Sequence, residues 1–246
     1  MKGVILAGGM ATRLRPLTLV TNKHLLPIYN KPMIYYSLAA MAKAGIKEVL
    51  LTSSADHAGH FANLLGAGEE FNLKLYYAVQ KNSKGGISEA IYLAEEFAKG
   101  EKILVLLGDG IFNFNLSQAV SHLEDQDRGA MVFGMEMQTD SGQYGVIETD
   151  KSGKVLSIEE KPEHPKSKIA QTGIYMYDAR VFDFIRKLRP SGRGELEVTD
   201  LNNLYVEEGT MTCQLLDWWI DAGTSYDELL RANNLVAEKV KKGELS

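Results

Sequence analysis

The residues best suited to chemistry stand near the start of the chain, where an apolar segment runs into two glycines and two cations follow. Residues 3–7 predict a buried strand, and Gly8 and Gly9 follow it directly. Glycines carry no Cβ, so the amides of such a turn can converge on phosphate oxygens. Arg13 would add a planar fork of donors, and Lys23 a movable point charge. The segment predicts a nucleotide phosphate site whose two cations neutralise a leaving pyrophosphate.

The spacing of this turn does not match two common phosphate motifs. A Walker A loop needs Gly-Lys-Ser/Thr, and the dinucleotide fingerprint needs a third glycine. The chain instead continues Met10-Ala11-Thr12 after its glycine pair. A simpler interpretation stays open, because glycine pairs after strands form ordinary turns and an arginine near a lysine is often only a solvated surface.

Two aspartates are candidates for holding a metal ion. Asp109 follows an apolar run and a glycine, and Asp221 lies in the segment Trp219-Ile220-Asp221-Ala222-Gly223-Thr224. Mg²⁺ prefers oxygen ligands and commonly takes one or two carboxylates together with substrate phosphates. The residues alone leave two other interpretations open: Asp109 as a turn residue and Asp221 as a helix cap.

The elements that position these residues alternate in the first half of the chain. Apolar runs predict strands at 3–7, 48–52, 73–79 and 102–107, and helical periodicity predicts helices at 33–44, 58–65 and 87–99. Such alternation implies right-handed crossovers and a mostly parallel sheet, with ligands at the carboxyl ends of the strands. Gly8 and Asp109 both follow such ends.

The pattern changes in the second half of the chain. Closely spaced apolar or alternating runs at 130–135, 145–149, 155–159 and 169–177 predict antiparallel strands added beside the sheet. Helices are predicted at 179–188 and 198–208, then a strand at 211–215 and a terminal helix at 225–242.

Composition excludes several classes of protein. The 27 basic and 32 acidic residues give a formal net charge of -5, which argues against a general nucleic-acid or membrane-surface partner. Cys213 is the only cysteine, so an internal disulfide and a cysteine metal cluster are excluded, and a reducing cytoplasm fits. We find neither a signal peptide pattern nor an apolar stretch of about 20 residues, and expect a soluble cytoplasmic protein.

The series of motifs resembles the sugar nucleotidyltransferase family over nearly the whole chain. The resemblance rests on Leu6-Ala7-Gly8-Gly9, Thr12-Arg13-Leu14, Pro16-Leu17-Thr18, Lys23-His24-Leu25-Leu26-Pro27, Leu107-Gly108-Asp109, Glu159-Glu160-Lys161-Pro162, Thr172-Gly173-Ile174-Tyr175, the run from Arg193 to Asp200, and the run from Trp219 to Thr224. The last two point to the thymidylyl branch. The resemblance implies a Rossmann-like three-layer α/β fold whose mostly parallel central sheet carries antiparallel additions on the sugar-binding side.

The resemblance also implies an activity. The expected reaction transfers a thymidylyl group from dTTP to glucose 1-phosphate by in-line displacement, giving dTDP-glucose for deoxysugars such as rhamnose. Mg²⁺ is the implied cofactor, and a homo-oligomer, commonly a tetramer, is the implied assembly. We expect a single domain, 1–246, with a nucleotide-binding part at roughly 1–128, a sugar-binding part at roughly 129–224 and the C-terminal helix at roughly 225–242.

Residue roles follow from the same resemblance. It assigns catalysis to Arg13, Lys23, Asp109 and Lys161, and the metal to Asp109 and Asp221. It assigns nucleotide binding to Leu6, Ala7, Gly8, Gly9, Thr12, Arg13, Gln80, Gly86 and Asp109. It assigns the sugar phosphate to Tyr144, Gly145, Glu160, Lys161, Thr172 and Arg193. Base selection falls to Gln80, whose amide can pair with the pyrimidine edge, while Gly86 leaves room for the ring.

Four features depart from the family pattern. Met10 and Ala11 replace residues that are commonly smaller or glycine, and alanine resists the positive φ that glycine tolerates. Gly110 stands where Asn is usual, Ser88-Glu89 replaces Ala-Gln, and the segment 80–86 is one residue longer. Two alternatives therefore stay open: transfer from UTP or to another sugar 1-phosphate, and a catalytically silent sugar-nucleotide sensor.

Overall fold

The computed structural model describes residues 1–82, 84–138 and 141–245. Its strands are β1 (Lys2–Ala7), β2 (Pro27–Ile28), β3 (Lys31–Pro32), β4 (Glu48–Ser54), β5 (Lys74–Gln80), β6 (Ile103–Leu107), β7 (Gly110–Phe112), β8 (Ala130–Glu136), β9 (Gly145–Thr149), β10 (Val155–Glu160), β11 (Ile169–Tyr177), β12 (Met211–Leu215) and β13 (Trp219–Asp221). Its α-helices are α1 (Ile34–Lys43), α2 (Ala58–Leu65), α3 (Gly86–Tyr92), α4 (Glu95–Ala98), α5 (Ser117–Glu124), α6 (Val181–Ile185), α7 (Val198–Glu207) and α8 (Tyr226–Lys241).

The centre of the fold is a parallel group of strands in the order β6-β1-β4-β5. Ile5 of β1 lies opposite Leu51 of β4 on one side and Leu106 of β6 on the other. These side chains are fully buried, as expected for parallel strands covered on both faces. The mostly parallel central sheet is therefore confirmed.

Antiparallel strands extend this group beyond β6. The C-terminal half of β11 pairs with β6, and its N-terminal end pairs with β9, which carries β10. The other edge of β11 pairs with β8, and β12 runs parallel to β8. The register of β11 on β8 shifts between Gln171 and Tyr175, where Gly173 has a φ of 74°. The predicted antiparallel additions are confirmed.

Helices cover both faces of the sheet, which gives three layers. Ile5 packs with α1, α2 and α5, while its neighbours Val4 and Leu6 pack on the opposite face with α3, α4, α6 and α7. This division follows from the alternation of side chains along a strand. A third apolar cluster holds α8, whose Ala232 and Val236 pack near β2, β7 and β13. Within the described ranges, the helices include none with the length and apolar character needed to cross a membrane.

Three details of the secondary structure differ from the sequence prediction. The helix predicted at 87–99 is two helices, because α3 ends at Tyr92 and α4 begins at Glu95. The helix predicted at 179–188 is the shorter α6. Helix α5 and the two-stranded pairs β2 with β3 and β7 with β13 were not predicted, since each has only a short apolar run.

Candidate active site

Lys23 and Asp109 meet at the carboxyl end of the parallel strands. The amide of Gly108 donates to the Leu6 carbonyl at 3.0 Å, so the ends of β6 and β1 stay together. Asn22 ties the lysine segment to the same place, because its Nδ2 donates to the Ala7 carbonyl at 3.0 Å. Lys23 begins a short 3₁₀ turn, and its ammonium donates to the Oδ2 of Asp109. The structure thus joins a predicted pyrophosphate cation to a predicted metal ligand.

Asp221 reaches the same place from the other end of the chain. It ends β13, which pairs antiparallel with β7 so that Asp221 lies opposite Gly110. The amide of Ala222 donates to the Asp109 carbonyl at 3.0 Å, and that of Gly223 to the Oδ1 of Asp221 at 2.9 Å. Asp221 does not cap the terminal helix, since the Ser225 hydroxyl accepts from the helix amide of Glu228.

Gly223 lies where these strands converge, directly against the Lys23–Asp109 pair. A Cβ at position 223 would lie 2.6 Å from the Oδ2 of Asp109 and 2.8 Å from the Nζ of Lys23. Both distances are shorter than real Cβ contacts allow. Gly223 therefore permits the close approach of its own backbone to the Lys23–Asp109 pair.

The charges of this cluster depend on one another. Burial favours the neutral form of Lys23, but the Asp109 carboxylate outweighs it, so the pKa of Lys23 lies above its usual value. Burial likewise acts to raise the pKa of Asp109, but the Lys23 ammonium lowers that pKa below its usual value. Burial, and then repulsion from Asp109, raises the pKa of Asp221 to about 7. The lysine and Asp109 are ionised together, and Asp221 lies in the field of a second carboxylate.

This pair of carboxylates fits a magnesium ion that is shared with substrate. The described residues contain no group of three or more His, Cys, Asp or Glu side chains able to hold a metal. Mg²⁺ needs no such group, since it is usually held by one or two carboxylates and substrate phosphates. The repulsion between Asp109 and Asp221 is the charge imbalance that a divalent cation would relieve.

A cavity of about 750 Å³ opens beside the two aspartates. All six residues predicted to contact the sugar phosphate line it, together with Arg13 and both aspartates. The lining residues in question are Arg13, Asp109, Tyr144, Gly145, Glu160, Lys161, Thr172, Arg193 and Asp221. The structure brings these residues together, and their individual roles stay predictions.

Several of these side chains are held by neighbours. The Thr199 hydroxyl donates to the Oε2 of Glu160 at 2.9 Å, and the Nη2 of Arg193 donates to the Oε2 of Glu197 at 2.9 Å. Lys161 has a φ of 46°, a left-handed conformation that an L-residue adopts at a cost, as functional sites often show. Arg13 is exposed and has no carboxylate within ion-pair distance among the described residues. Its guanidinium is therefore available to an anion.

A smaller cavity of about 250 Å³ adjoins the first. Most of the predicted nucleotide residues line it: Leu6, Gly8, Gly9, Gln80, Gly86 and Asp109, with Lys23 beside them. Leu107 and Asp109 line both cavities, so the two meet at the end of β6. Three predicted nucleotide residues lie outside this lining: Arg13 lines the larger cavity instead, Ala7 is buried within β1, and Thr12 begins a 3₁₀ turn.

The glycines of the smaller cavity lie against polar atoms. A Cβ at Gly8 would lie 2.9 Å from the Oε1 of Gln80, so this glycine lets the amide reach the turn. Gly86 has a φ of 87°, and a Cβ there would lie 2.6 Å from the Leu196 carbonyl oxygen. Glycine at position 86 is thus needed for packing of the chain as well as for room beside a base.

The unusual residues of the phosphate turn are accommodated. Ala11 takes a left-handed φ of 42°, which costs an L-residue roughly 1–2 kcal/mol. The Thr18 hydroxyl donates to the Ala11 carbonyl at 2.8 Å and holds this conformation. Glu89 accepts from the Nδ2 of Asn82 at 3.3 Å. Ser83, in the segment expected to be one residue longer, lies outside the described residues.

Sequence reasoning assigned no role to many of the residues that line the cavities, and four of them lie at informative places. Ile87 and Glu195 line both, and Gln171 and Trp219 line the larger one. Glu195 and Trp219 lie within motifs that carry the resemblance. Gln171 had a signal of its own, since it is a polar residue inside the apolar strand β11.

Comparison with known proteins agrees with this geometry. Residues 2–239 match the nucleotidyl transferase family, and the chain belongs to that family. The glucose-1-phosphate thymidylyltransferase of Neisseria gonorrhoeae is 43% identical over 228 residues, which cover 91% of this chain and 78% of that protein. The enzyme of the same name from Mycolicibacterium smegmatis is 40% identical over 240 residues, covering 96% of this chain and 82% of that protein.

Solved structures show the same fold. A Bacillus anthracis protein assigned as a glucose-1-phosphate thymidylyltransferase, in complex with a sucrose, superposes with a TM-score of 0.90 at 42% identity. The match covers 96% of this chain and 94% of that one. A UDP-glucose pyrophosphorylase complexed with UDP-glucose has a TM-score of 0.85 at 22% identity, which supports the fold alone.

Proposed function

We propose that the chain transfers the thymidylyl group of dTTP to glucose 1-phosphate and releases pyrophosphate. The observation that carries this function is the junction of two cavities at Asp109. One cavity is lined by the glycine turn and Gln80, and the other by Lys161 and Arg193. The relatives at 40–43% identity that bear the name of this activity support the choice of substrates.

The chemistry is the displacement of pyrophosphate by the phosphate oxygen of the sugar phosphate, and both reactants are anions. Charge neutralisation and alignment therefore supply most of the catalysis. Lys161 orients the attacking phosphate from the larger cavity, and Arg13 and Lys23 stabilise the leaving pyrophosphate. Mg²⁺ held by Asp109 and Asp221 would neutralise phosphate charge. No covalent bond to the protein is needed.

Base choice belongs to the smaller cavity. The Nε2 of Gln80 donates to the Gly86 carbonyl at 3.3 Å, which fixes the amide at the edge where a pyrimidine would lie. A pocket that senses only the thymine methyl group discriminates by about 1–3 kcal/mol. UTP is thus the main competing substrate.

The wider setting is inferred from the resemblance and from composition. We infer one domain spanning 1–246, a homotetramer in the reducing cytoplasm, and a product that leads to deoxysugars such as rhamnose. Neither nucleic acid nor membrane is an expected partner, given the formal net charge of -5.

The test is pyrophosphate release with Mg²⁺ and glucose 1-phosphate, with dTTP, UTP, ATP, CTP and GTP supplied in separate reactions. We expect dTTP to give the highest kcat/KM. A preference for UTP would keep the mechanism and overturn the thymidylyl assignment. If no triphosphate gives pyrophosphate release while dTDP-glucose binds measurably, the catalytic function would be overturned in favour of a sensor.

A further inference from the structure

Gln171 is a buried polar residue in an apolar strand. It lies on β11 beside the fully buried Ala170 and is itself only 8% exposed. Its Nε2 donates to the Tyr175 hydroxyl at 3.0 Å, and its Oε1 has no hydrogen-bond partner among the described residues. Leaving such an atom unpaired in the interior costs stability, so a buried glutamine here requires an explanation.

The orientation of the amide does not remove this deficit. Oxygen and nitrogen of a glutamine side chain are assigned from their hydrogen bonds, and Gln171 could be turned over. The Tyr175 hydroxyl would then face the oxygen, and the NH₂ group would be left without that partner. In either orientation one end of the amide is available to a ligand as an acceptor or a donor.

The amide lies in the wall of the larger cavity. Gln171 lines it together with Gly145, Glu160 and Lys161, the residues predicted to hold the sugar phosphate. A Cβ at Gly145 would lie 3.2 Å from the Oε1 of Gln171, so the amide packs directly on the backbone of Gly145. Tyr175 holds its other end, and the side chain is therefore fixed before substrate arrives.

A second buried polar atom in the same wall has no partner. Trp219 is 7% exposed and lines the cavity, and its Nε1 has no hydrogen-bond partner among the residues that the structure describes. A Cβ at Gly110 would lie 2.9 Å from this nitrogen. Gly110 thus leaves the space beside the indole N–H free of side-chain atoms. Gln171 and Trp219 thus each place a buried polar atom without a hydrogen-bond partner in the same cavity wall. The hydroxyl groups of a sugar would supply both partners.

We propose that Gln171 is a specificity-determining residue whose amide hydrogen-bonds one hydroxyl group of the sugar 1-phosphate. The proposal rests on the proposed function, since it takes the larger cavity as the sugar site. Lys161 and Arg193 carry charge suited to the phosphate, whereas Gln171 offers a neutral group suited to a hydroxyl. Gln171 therefore selects among sugars and takes no part in the displacement itself.

The test pairs changes in the protein with changes in the substrate. Wild type and Gln171→Leu are assayed with glucose 1-phosphate and with its 2-, 3-, 4- and 6-deoxy analogues. Wild type is expected to lose about tenfold in kcat/KM on the analogue that lacks the contacted hydroxyl. Gln171→Leu is expected to lose about the same on glucose 1-phosphate and to treat that analogue and glucose 1-phosphate alike.

Tyr175→Phe is the matched comparison, because it breaks the bond between Gln171 and Tyr175 from the other side. It is expected to keep the wild-type ranking of the analogues. Gln171→Leu should unfold near the wild-type temperature, since it removes one unpaired buried atom and in exchange leaves the Tyr175 hydroxyl without its partner. Gln171→Met has a similar length and replaces it in the assay if the leucine variant does not fold.

The outcomes separate the two proposals. If Gln171→Leu lowers kcat/KM by the same factor, relative to wild type, on glucose 1-phosphate and on every deoxy analogue, Gln171 is coupled to no hydroxyl. That result would overturn the role of Gln171. Absence of turnover by wild type with any sugar 1-phosphate would instead overturn the proposed function. In that case calorimetric titration of the same sugar phosphates into both proteins makes the same comparison by binding.

Discussion

The Lys23 ammonium donates to the Oδ2 of Asp109, across 86 residues of sequence. This contact joins a cation predicted to stabilise pyrophosphate to an aspartate predicted to hold the metal. Each partner keeps the other ionised, as the shifts of both pKa values show. Binding of a triphosphate with its metal would give both groups new partners of opposite charge. We expect the pair to separate on binding and to re-form after product release.

Asp109→Asn is expected to abolish pyrophosphate release. The change removes a metal ligand and the carboxylate that pairs with Lys23, which costs up to about 3–5 kcal/mol of stability, less the attraction that Asp221 keeps for the ammonium. Asp109→Glu keeps the charge, so it should retain more stability while still losing turnover. Turnover and urea unfolding are measured for both variants.

Asp183→Asn is the control for these variants. Asp183 is 68% exposed and pairs with Arg186 on the surface, where an ion pair contributes little. It should match wild type in turnover and stability. Full activity of Asp109→Asn would remove Asp109 from the metal site.

Gly223→Ala is expected to lower kcat by up to about a hundredfold, since displacements of about 1 Å in a site can have effects of that size. The added Cβ would lie 2.6 Å from the Oδ2 of Asp109, so the carboxylate or the backbone must move. The control is Gly59→Ala in α2, where a Cβ meets nothing within 4 Å. Equal kcat for the two variants would contradict the close packing of Gly223 on Asp109.

The framework of the fold follows from local sequence patterns. The bounds of β9, β11 and β12 agree with the sequence prediction because their apolar runs are long or alternate. Strands β7 and β13 have three residues each and form only because they pair with one another. Their existence depends on tertiary contacts that no local pattern contains.

The site was predictable in its parts and not in its connections. The glycine turn and Asp109 could be placed at strand ends from the alternation of elements. The Lys23–Asp109 pair and the packing of Gly86 on Leu196 join segments far apart in sequence. Roles such as that of Lys161 came from resemblance, since a charged strand end before a proline is common on any surface.

Lys161→Ala is expected to lower kcat/KM for glucose 1-phosphate by about 10- to 100-fold, because it removes a charged hydrogen bond to the phosphate. KM for dTTP should stay near the wild-type value. Alanine also carries a Cβ, so the left-handed backbone at φ 46° is retained and the change isolates the ammonium.

Lys166→Ala is the matched control for Lys161→Ala. Lys166 is exposed and pairs with Glu159, outside the lining of either cavity. Its kinetics should equal those of wild type. A rise in KM for dTTP in Lys161→Ala, with glucose 1-phosphate unaffected, would place Lys161 on the nucleotide side.

The pH dependence of stability should report the burial of His24. This side chain is 2% exposed, and its Nδ1 lies 2.6 Å from the Oδ1 of Asn22. Burial, and then the charge of Lys23, lowers the pKa of His24 to about 3. As the pH falls below about 6.5 the unfolded chain binds a proton that the folded chain does not. Stability should therefore fall by about 1.4 kcal/mol per pH unit between these two values from this group alone.

His24→Gln is expected to reduce the slope of the unfolding free energy against pH by up to about 1.4 kcal/mol per pH unit, because glutamine does not titrate. Urea unfolding between pH values of about 7 and 5 measures it, and slopes are compared so that a uniform loss of stability cancels. Identical slopes in wild type and His24→Gln would mean that folded His24 binds its proton as readily as the unfolded chain does. The Lys23 segment would then be open to water, and the buried pair with Asp109 would not persist in solution.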